Sequence, residues 1–247
     1  WYQALSDPTD PLWADLQDSK EFVRELNLFG VKQYKPLVLS VTRNLERTAI
    51  RDVLRFCVTV SFRYTIIGDR NTNELEKIFN DIAVDIQDGV HLRTNQIREA
   101  LSKIALSDEE FQDAFARKII PSNGRGKRIS RYILCALERQ LGNADVHDAT
   151  TAATIEHILP ENTTPEWETF FPEDVHERYV YRLGNYTLLD GTRNREAEQK
   201  AFGLKLPIYR GSNYQITQRI DGAEWNPNAI ESRQQQMAKW AKTVWKL

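Results

Sequence analysis

The sequence predicts an α+β protein, predominantly helical, with a helical part to about residue 150 and a smaller mixed part from 151 to 247. Three observations lead there. Apolar residues recur at helical spacing through most of the first 150 positions. Small and polar residues then break the pattern from Asn143 to Thr151, as at a boundary or hinge. Beyond them, short β-like runs are separated by Pro- and Trp-containing chain.

The elements follow in order. Ile50, Val53, Leu54, Cys57 and Val60 form the apolar stripe of a helix within 44–67, and Leu75, Ile78, Phe79, Ile82 and Ile86 repeat it. Asn73 with Glu76, and Ser107 with Glu110, have the spacing of capping boxes. Ile129, Tyr132, Ile133, Ala136 and Leu137 share one face of a further helix, and Gly142 fits its stop. In the second part, β pieces are expected at Ala153–Leu159 and Tyr186–Leu189, with a helix-leaning segment over Thr192–Arg210. A strand is expected at Tyr214–Ile220, and a closing helix after Pro227 carries Ile230, Met237, Ala241 and Val244.

Composition bounds the function. The 247 residues are 41% hydrophobic and 28% charged, enough for a core, which excludes a disordered tail, a collagen-like fibre and a small disulfide scaffold. No run reaches the roughly 18 apolar residues of a membrane span. Cys57 and Cys135 lie in apolar helical patterns and read as buried thiols of a reducing compartment, so a cytoplasmic location is expected. The chain opens with Trp1 and is expected to be part of a longer polypeptide. With 33 basic and 35 acidic residues the net charge of −2 announces no nucleic-acid partner, although a local basic face is what phosphates meet.

The string that carries chemistry is Glu156-His157-Ile158-Leu159-Pro160, followed by Leu183-Gly184-Asn185-Tyr186-Thr187-Leu188-Leu189 and then Asn194. An acid beside a histidine offers a hard oxygen ligand for Mg²⁺ or Mn²⁺ and a base titrating near neutrality. An asparagine adds a neutral carbonyl oxygen. Metal-assisted phosphodiester hydrolysis needs those parts. Neighbours on a regular strand point to opposite faces, so Glu156 and His157 share a site only where the strand ends, bulges or twists, and Pro160 is consistent with an end.

These residues resemble the HNH, or ββα-metal, nucleases, in which an acid-His pair ends the first strand, an Asn leads into the second, and an Asn or His sits on the helix. The two phrases, with Phe202, Lys205, Tyr209 and Ser212 and the closing Trp225, Ile230, Arg233 and Trp245, are similar to the C-terminal nuclease region of GmrSD-type modification-dependent restriction proteins and their SspE-like phage-defence relatives. The resemblance covers about 151–247. It implies that His157 is the base that deprotonates water, that Glu156 and Asn194 hold one Mg²⁺ or Mn²⁺, and that Asn185 orients the imidazole or pins the loop between the strands. It further implies DNA cutting or nicking in bacterial defence, governed by a nucleotide-hydrolysing, modification-sensing domain N-terminal to this chain. Glu156 stands where many HNH enzymes have Asp, and no CxxC pairs point to the zinc-stapled variant.

DNA-backbone contacts are expected from Arg182, Arg193, Arg195, Lys200 and Lys205, and from Arg125, Lys127 and Arg128 around the Gly-containing loop 122–126, with Arg117, Lys118 and Arg131 beside it. The plain readings stand next to these. A solvated helix start explains the loop cations equally, Asn185 after Gly184 is a good turn dipeptide, and Asn194 fits a helix cap. His91, His147 and His176 read as structural, and Trp167, Trp225, Trp240 and Trp245 as core anchors. The rival functions are a non-catalytic nucleic-acid-binding module with an HNH-like shell and a helical interaction protein. A metalloprotease lacks its His-Glu-x-x-His helix.

Overall fold

The fold is described by a computed structural model covering residues 1–90 and 93–247, without the side chains of residues 17 and 18. His91, read as structural from the sequence, lies outside them. The described residues are predominantly helical with one two-stranded sheet. By internal packing it divides into two units, Trp1–Phe111 with Trp245–Leu247, and Gln112–Val244. No helix among the described residues is long and apolar enough to cross a membrane.

The first unit is built from α1 (Gln17–Leu28), α2 (Lys35–Asn44), α3 (Arg47–Ser61), α4 (Thr72–Gln87) and α5 (Thr94–Ser102). The stripes read from sequence are its core: Val53, Leu54, Cys57, Leu75, Phe79 and Ile86 are all buried. The capping-box start expected at Asn73 lies elsewhere, since Asn71 is the cap and its side chain accepts from the Asn73 amide at 3.0 Å. A π-helical turn, Phe62–Ile67, extends α3. Its Arg63 is buried but fully engaged, donating to Trp245 O (2.8 Å), Leu106 O (2.9 Å) and Asp108 Oδ1 (2.6 Å), while Phe62 stacks on Trp245 at 4.0 Å. Burying a guanidinium is tolerable only with such partners.

The helix α6 (Asp108–Arg117) opens with the expected reciprocal cap, Ser107 N to Glu110 Oε2 at 2.8 Å and Glu110 N to Ser107 Oγ at 3.2 Å. The second unit continues with α7 (Gly124–Gln140), which stops before Gly142, at φ +109°. The strands β1 (Ala153–His157) and β2 (Tyr186–Asp190) pair antiparallel, Ala153 opposite Asp190 and His157 opposite Tyr186. Between them run the short helices α8 (Pro165–Glu168) and α9 (Glu173–Tyr179) and a 3₁₀ turn, Leu183–Asn185. The segment 143–151 lies between α7 and β1 in this unit, and Arg131 ties it down by donating to the carbonyls of Asp148, Thr151 and Ala153.

After β2 come α10 (Gly191–Ala197), α11 (Phe202–Arg210), α12 (Gln215–Gln218) and α13 (Pro227–Val244), the last opened by Pro227 at its first turn. The strand expected at 214–220 is instead the helical turn α12. Ile216 and Thr217 favour strands, but the Glu138 carboxylate of α7 accepts from the amides of Gln215 (2.7 Å) and Ile216 (2.8 Å), and this capping charge at a helix N-terminus outweighs their propensity. Trp167, Phe171, Leu189, Phe202, Tyr209, Trp225 and Ile230 form the core under the hairpin. Gly184 lets α13 press against the 3₁₀ turn, since a Cβ there would meet Ile230 O at 2.3 Å.

Candidate active site

Strand geometry decides the site first. The ladder is regular through His157, so Glu156 shares a face with its partner Thr187, and His157 shares the other with Tyr186. Acid and imidazole therefore diverge.

On the Glu156 face, the carboxylate is 3% exposed and its Oε1 accepts from Lys205 Nζ and Tyr209 OH of α11, both at 2.8 Å. Burial pushes the Glu156 pKa up against the pull of Lys205, and pushes the Lys205 pKa down against that of Glu156. Asn194 of α10 donates from Nδ2 to Thr154 Oγ1 (2.8 Å) and Ile155 O (3.0 Å), tying helix to strand.

On the other face, His157 lies edge-on to Tyr186, ring centroids 4.8 Å apart, with Tyr181 at 6.3 Å. Its Nε2 is buried with no hydrogen-bond partner, and the nearest carboxylate oxygen, Glu161 Oε1, is 3.7 Å away. Glu161 accepts from Ser122 Oγ at 2.7 Å and from the Tyr181 hydroxyl. The loop carrying Ser122 is brought there by backbone pairing of 118–120 with 181–183 and by Tyr186 OH donating to Ile120 O at 2.7 Å. Burial, reinforced by the charges of Lys205 and Lys127 and opposed by Glu161, drives the His157 pKa down to about 4. The imidazole is therefore neutral at pH 7.

Asn185 is fully buried and saturated. It donates to Leu159 O and Val180 O, both at 2.9 Å, and accepts from Leu159 N (2.7 Å) and Trp225 Nε1 (3.2 Å), while its own carbonyl takes Ile158 N at 3.0 Å. With all four side-chain positions occupied it pins the loop after β1 and has none left for the imidazole.

The basic residues divide sharply. Arg125, Lys127 and Arg128 are exposed on the first two turns of α7, and Arg195 and Lys200 are exposed beyond β2. Lys205 is wholly buried and has no surface for a phosphate, which corrects its reading as a DNA contact. Arg182 is engaged by Gln234 Oε1 (3.0 Å), Ala116 O (2.7 Å) and Glu231 (3.5 Å), and Arg193 by Asp190 (2.7 Å). Arg131 is a loop tether. Glu161, Ser122 and Tyr181, which line the His157 face, were missed; only the position of Glu161 four residues after His157 hinted at it.

A cation held jointly by Glu156 and Asn194 beside His157 does not fit this arrangement. The carboxylate already carries the Lys205 ammonium and faces away from the imidazole, and no group of three His, Cys, Asp or Glu among the described residues converges on a metal position.

No curated protein matches the chain. A sequence profile does match residues 106–240, a span that contains both strands, α7 and every candidate residue above, and it is that of the GmrSD restriction endonucleases, C-terminal domain; the chain belongs to this family of nucleases.

Proposed function

We propose that this chain is a DNA endonuclease or nickase of the HNH type, with the hairpin and α10 as its ββα unit, and that it is the C-terminal effector of a bacterial modification-dependent restriction system. His157 is the base. With its proton on Nδ1, the Nε2 lone pair takes a proton from water; the water oxygen bonds to phosphorus, and the bond from phosphorus to the 3′ oxygen breaks. The products are a 5′-phosphate and a 3′-hydroxyl, whose oxygen is protonated by solvent. The observation that carries this reading is the neutral His157 imidazole whose Nε2 has no hydrogen-bond partner, beside a loop with three exposed cations. Glu161, half exposed, is the group that yields place to the phosphate.

Arg125, Lys127, Arg128, Arg195 and Lys200 are the proposed DNA-backbone contacts. Restriction endonucleases require a divalent metal in general, and Mg²⁺ or Mn²⁺ is the proposed ion. A nucleotide-hydrolysing domain N-terminal to this chain, in the cytoplasm, is the proposed regulator.

The test is nicking of supercoiled plasmid in Mn²⁺. His157→Ala is expected to cut the rate by roughly 10²-fold or more. Plasmid left supercoiled by excess wild-type protein, or an unchanged rate in the variant, overturns the proposal. Plasmid bound but never cut would make the protein a nucleic-acid-binding module.

A further inference from the structure

We propose that Lys205, paired with Glu156, is a positioning residue for the hydrolysis, one that holds the end of β1 so that His157 faces its site; this rests on the nuclease reading above. An ammonium has three protons, and those of Lys205 are all assigned: to Glu156 Oε1 at 2.8 Å, to His157 O at 3.0 Å and to Ile158 O at 3.1 Å. The acceptors belong to three consecutive residues, the last two of the strand and the first after it. Two successive backbone carbonyls, those of His157 and Ile158, converge on one cation only if the chain curls just after His157, and the ammonium fixes that curl from the face opposite the imidazole. Asn185 holds the next two residues from the 3₁₀ turn before β2, through Ile158 N and both polar groups of Leu159.

Glu156 in this arrangement is the counter-charge rather than a metal ligand. Its Oε1 is shared with Tyr209 OH, and the ammonium lies 5.8 Å from the Trp167 ring, so the pair is closed off from solvent. A buried ion pair is a poor source of stability compared with apolar residues of similar volume. Its three-residue grip on the strand end points to geometry as its role.

The test uses Lys205→Met, Glu156→Gln and the double variant in the full chain, followed by melting temperature and by plasmid nicking at several salt concentrations. Each single variant leaves a buried partner unmatched and is expected to lower Tm by roughly 10 °C. The double variant, with neither charge, recovers most of that loss. It then nicks with kcat lowered roughly 10–100-fold, with KM for DNA and the salt dependence unchanged. Additive Tm losses, or a double variant that does not recover, overturn the pairing. Wild-type kcat in the double variant overturns the positioning role. A raised KM with a shallower salt dependence would mean that the pair supports DNA binding rather than the base, and overturns the positioning role. Should the wild type not nick at all, the nuclease reading fails by itself. The NMR resonance of the His157 imidazole, assigned against His157→Gln, then reports the clamp: it moves in the double variant if Lys205 sets the ring's position, and an unmoved resonance sinks the proposal.

Discussion

The state of the His157 imidazole is open to measurement without any substrate. Its pKa in the folded protein is about 4, against an ordinary value of 6.5. Unfolding exposes the ring, so the unfolded chain takes up a proton near pH 6.5 while the folded chain waits until about pH 4. Stability from this group is therefore whole above pH 6.5, falls as the pH drops toward 4, and stays at its reduced level below. At about 1.4 kcal/mol for each pH unit, the loss over that window is about 3 kcal/mol. The ring is 17% exposed, so solvent screening takes little from this figure. His157→Gln keeps an amide of comparable reach and removes the titration. Urea unfolding of both proteins at pH 7.5 and pH 4.5 isolates the effect, because carboxylates and other histidines are common to both and cancel in the difference. Wild type is expected to lose about 2.5 kcal/mol more than the variant on acidification. Equal losses would mean that His157 is solvated or already paired when folded, and the case for a neutral, partnerless base would fall with it.

Two substitutions test the scaffold around the ring. Asn185→Ala strands the Leu159 amide and carbonyl, the Val180 carbonyl and the Trp225 indole N–H in a dry core. It is expected to cost about 3 kcal/mol by urea denaturation; a loss below 1 kcal/mol would show that these groups find other partners. Gly184→Ala drives a Cβ toward Ile230 O, a contact of 2.3 Å before relaxation, and is expected to cost about 2 kcal/mol. A neutral result there would mean that α13 shifts freely off the 3₁₀ turn.

What could be read from the sequence was local. The β1 and β2 runs, the cap of Ser107 with Glu110, the stop at Gly142 and the closing helix from Pro227 each announce themselves within four or five residues, and the structure has each of them. The stretch Tyr214–Ile220 misled because its β-branched residues speak locally, whereas the Glu138 carboxylate that caps it stands 77 residues earlier in the chain. The same distance problem governs the site. Lys205 looks like any surface lysine until α11 folds against β1, 49 residues away, and buries it on Glu156. Ser122 meets Glu161 across 39 residues for the same reason. The adjacency of Glu156 and His157 was plain, but alternation along a regular strand sends them to opposite faces, and only the tertiary structure shows that the ladder stays regular to His157.

That split has an electrostatic consequence for the proposed reaction. Of the two cations that lower the His157 pKa, Lys205 is paired with Glu156 on the far face, and Glu161 pulls the imidazole the opposite way. The ring therefore stays neutral chiefly because it is buried, and a base with a pKa near 4 is a weak proton acceptor at pH 7. In the proposed reaction a DNA phosphate takes the place of Glu161 beside the ring, so one negative charge replaces another on the near face. Negative charge within a few ångströms favours the imidazolium, the effect that Glu161 has on the ring before the phosphate arrives. On this reading the proposed substrate keeps opposing the two cations as Glu161 did, while the proposed positioning pair, Lys205 with Glu156 on the far face, stays out of its reach.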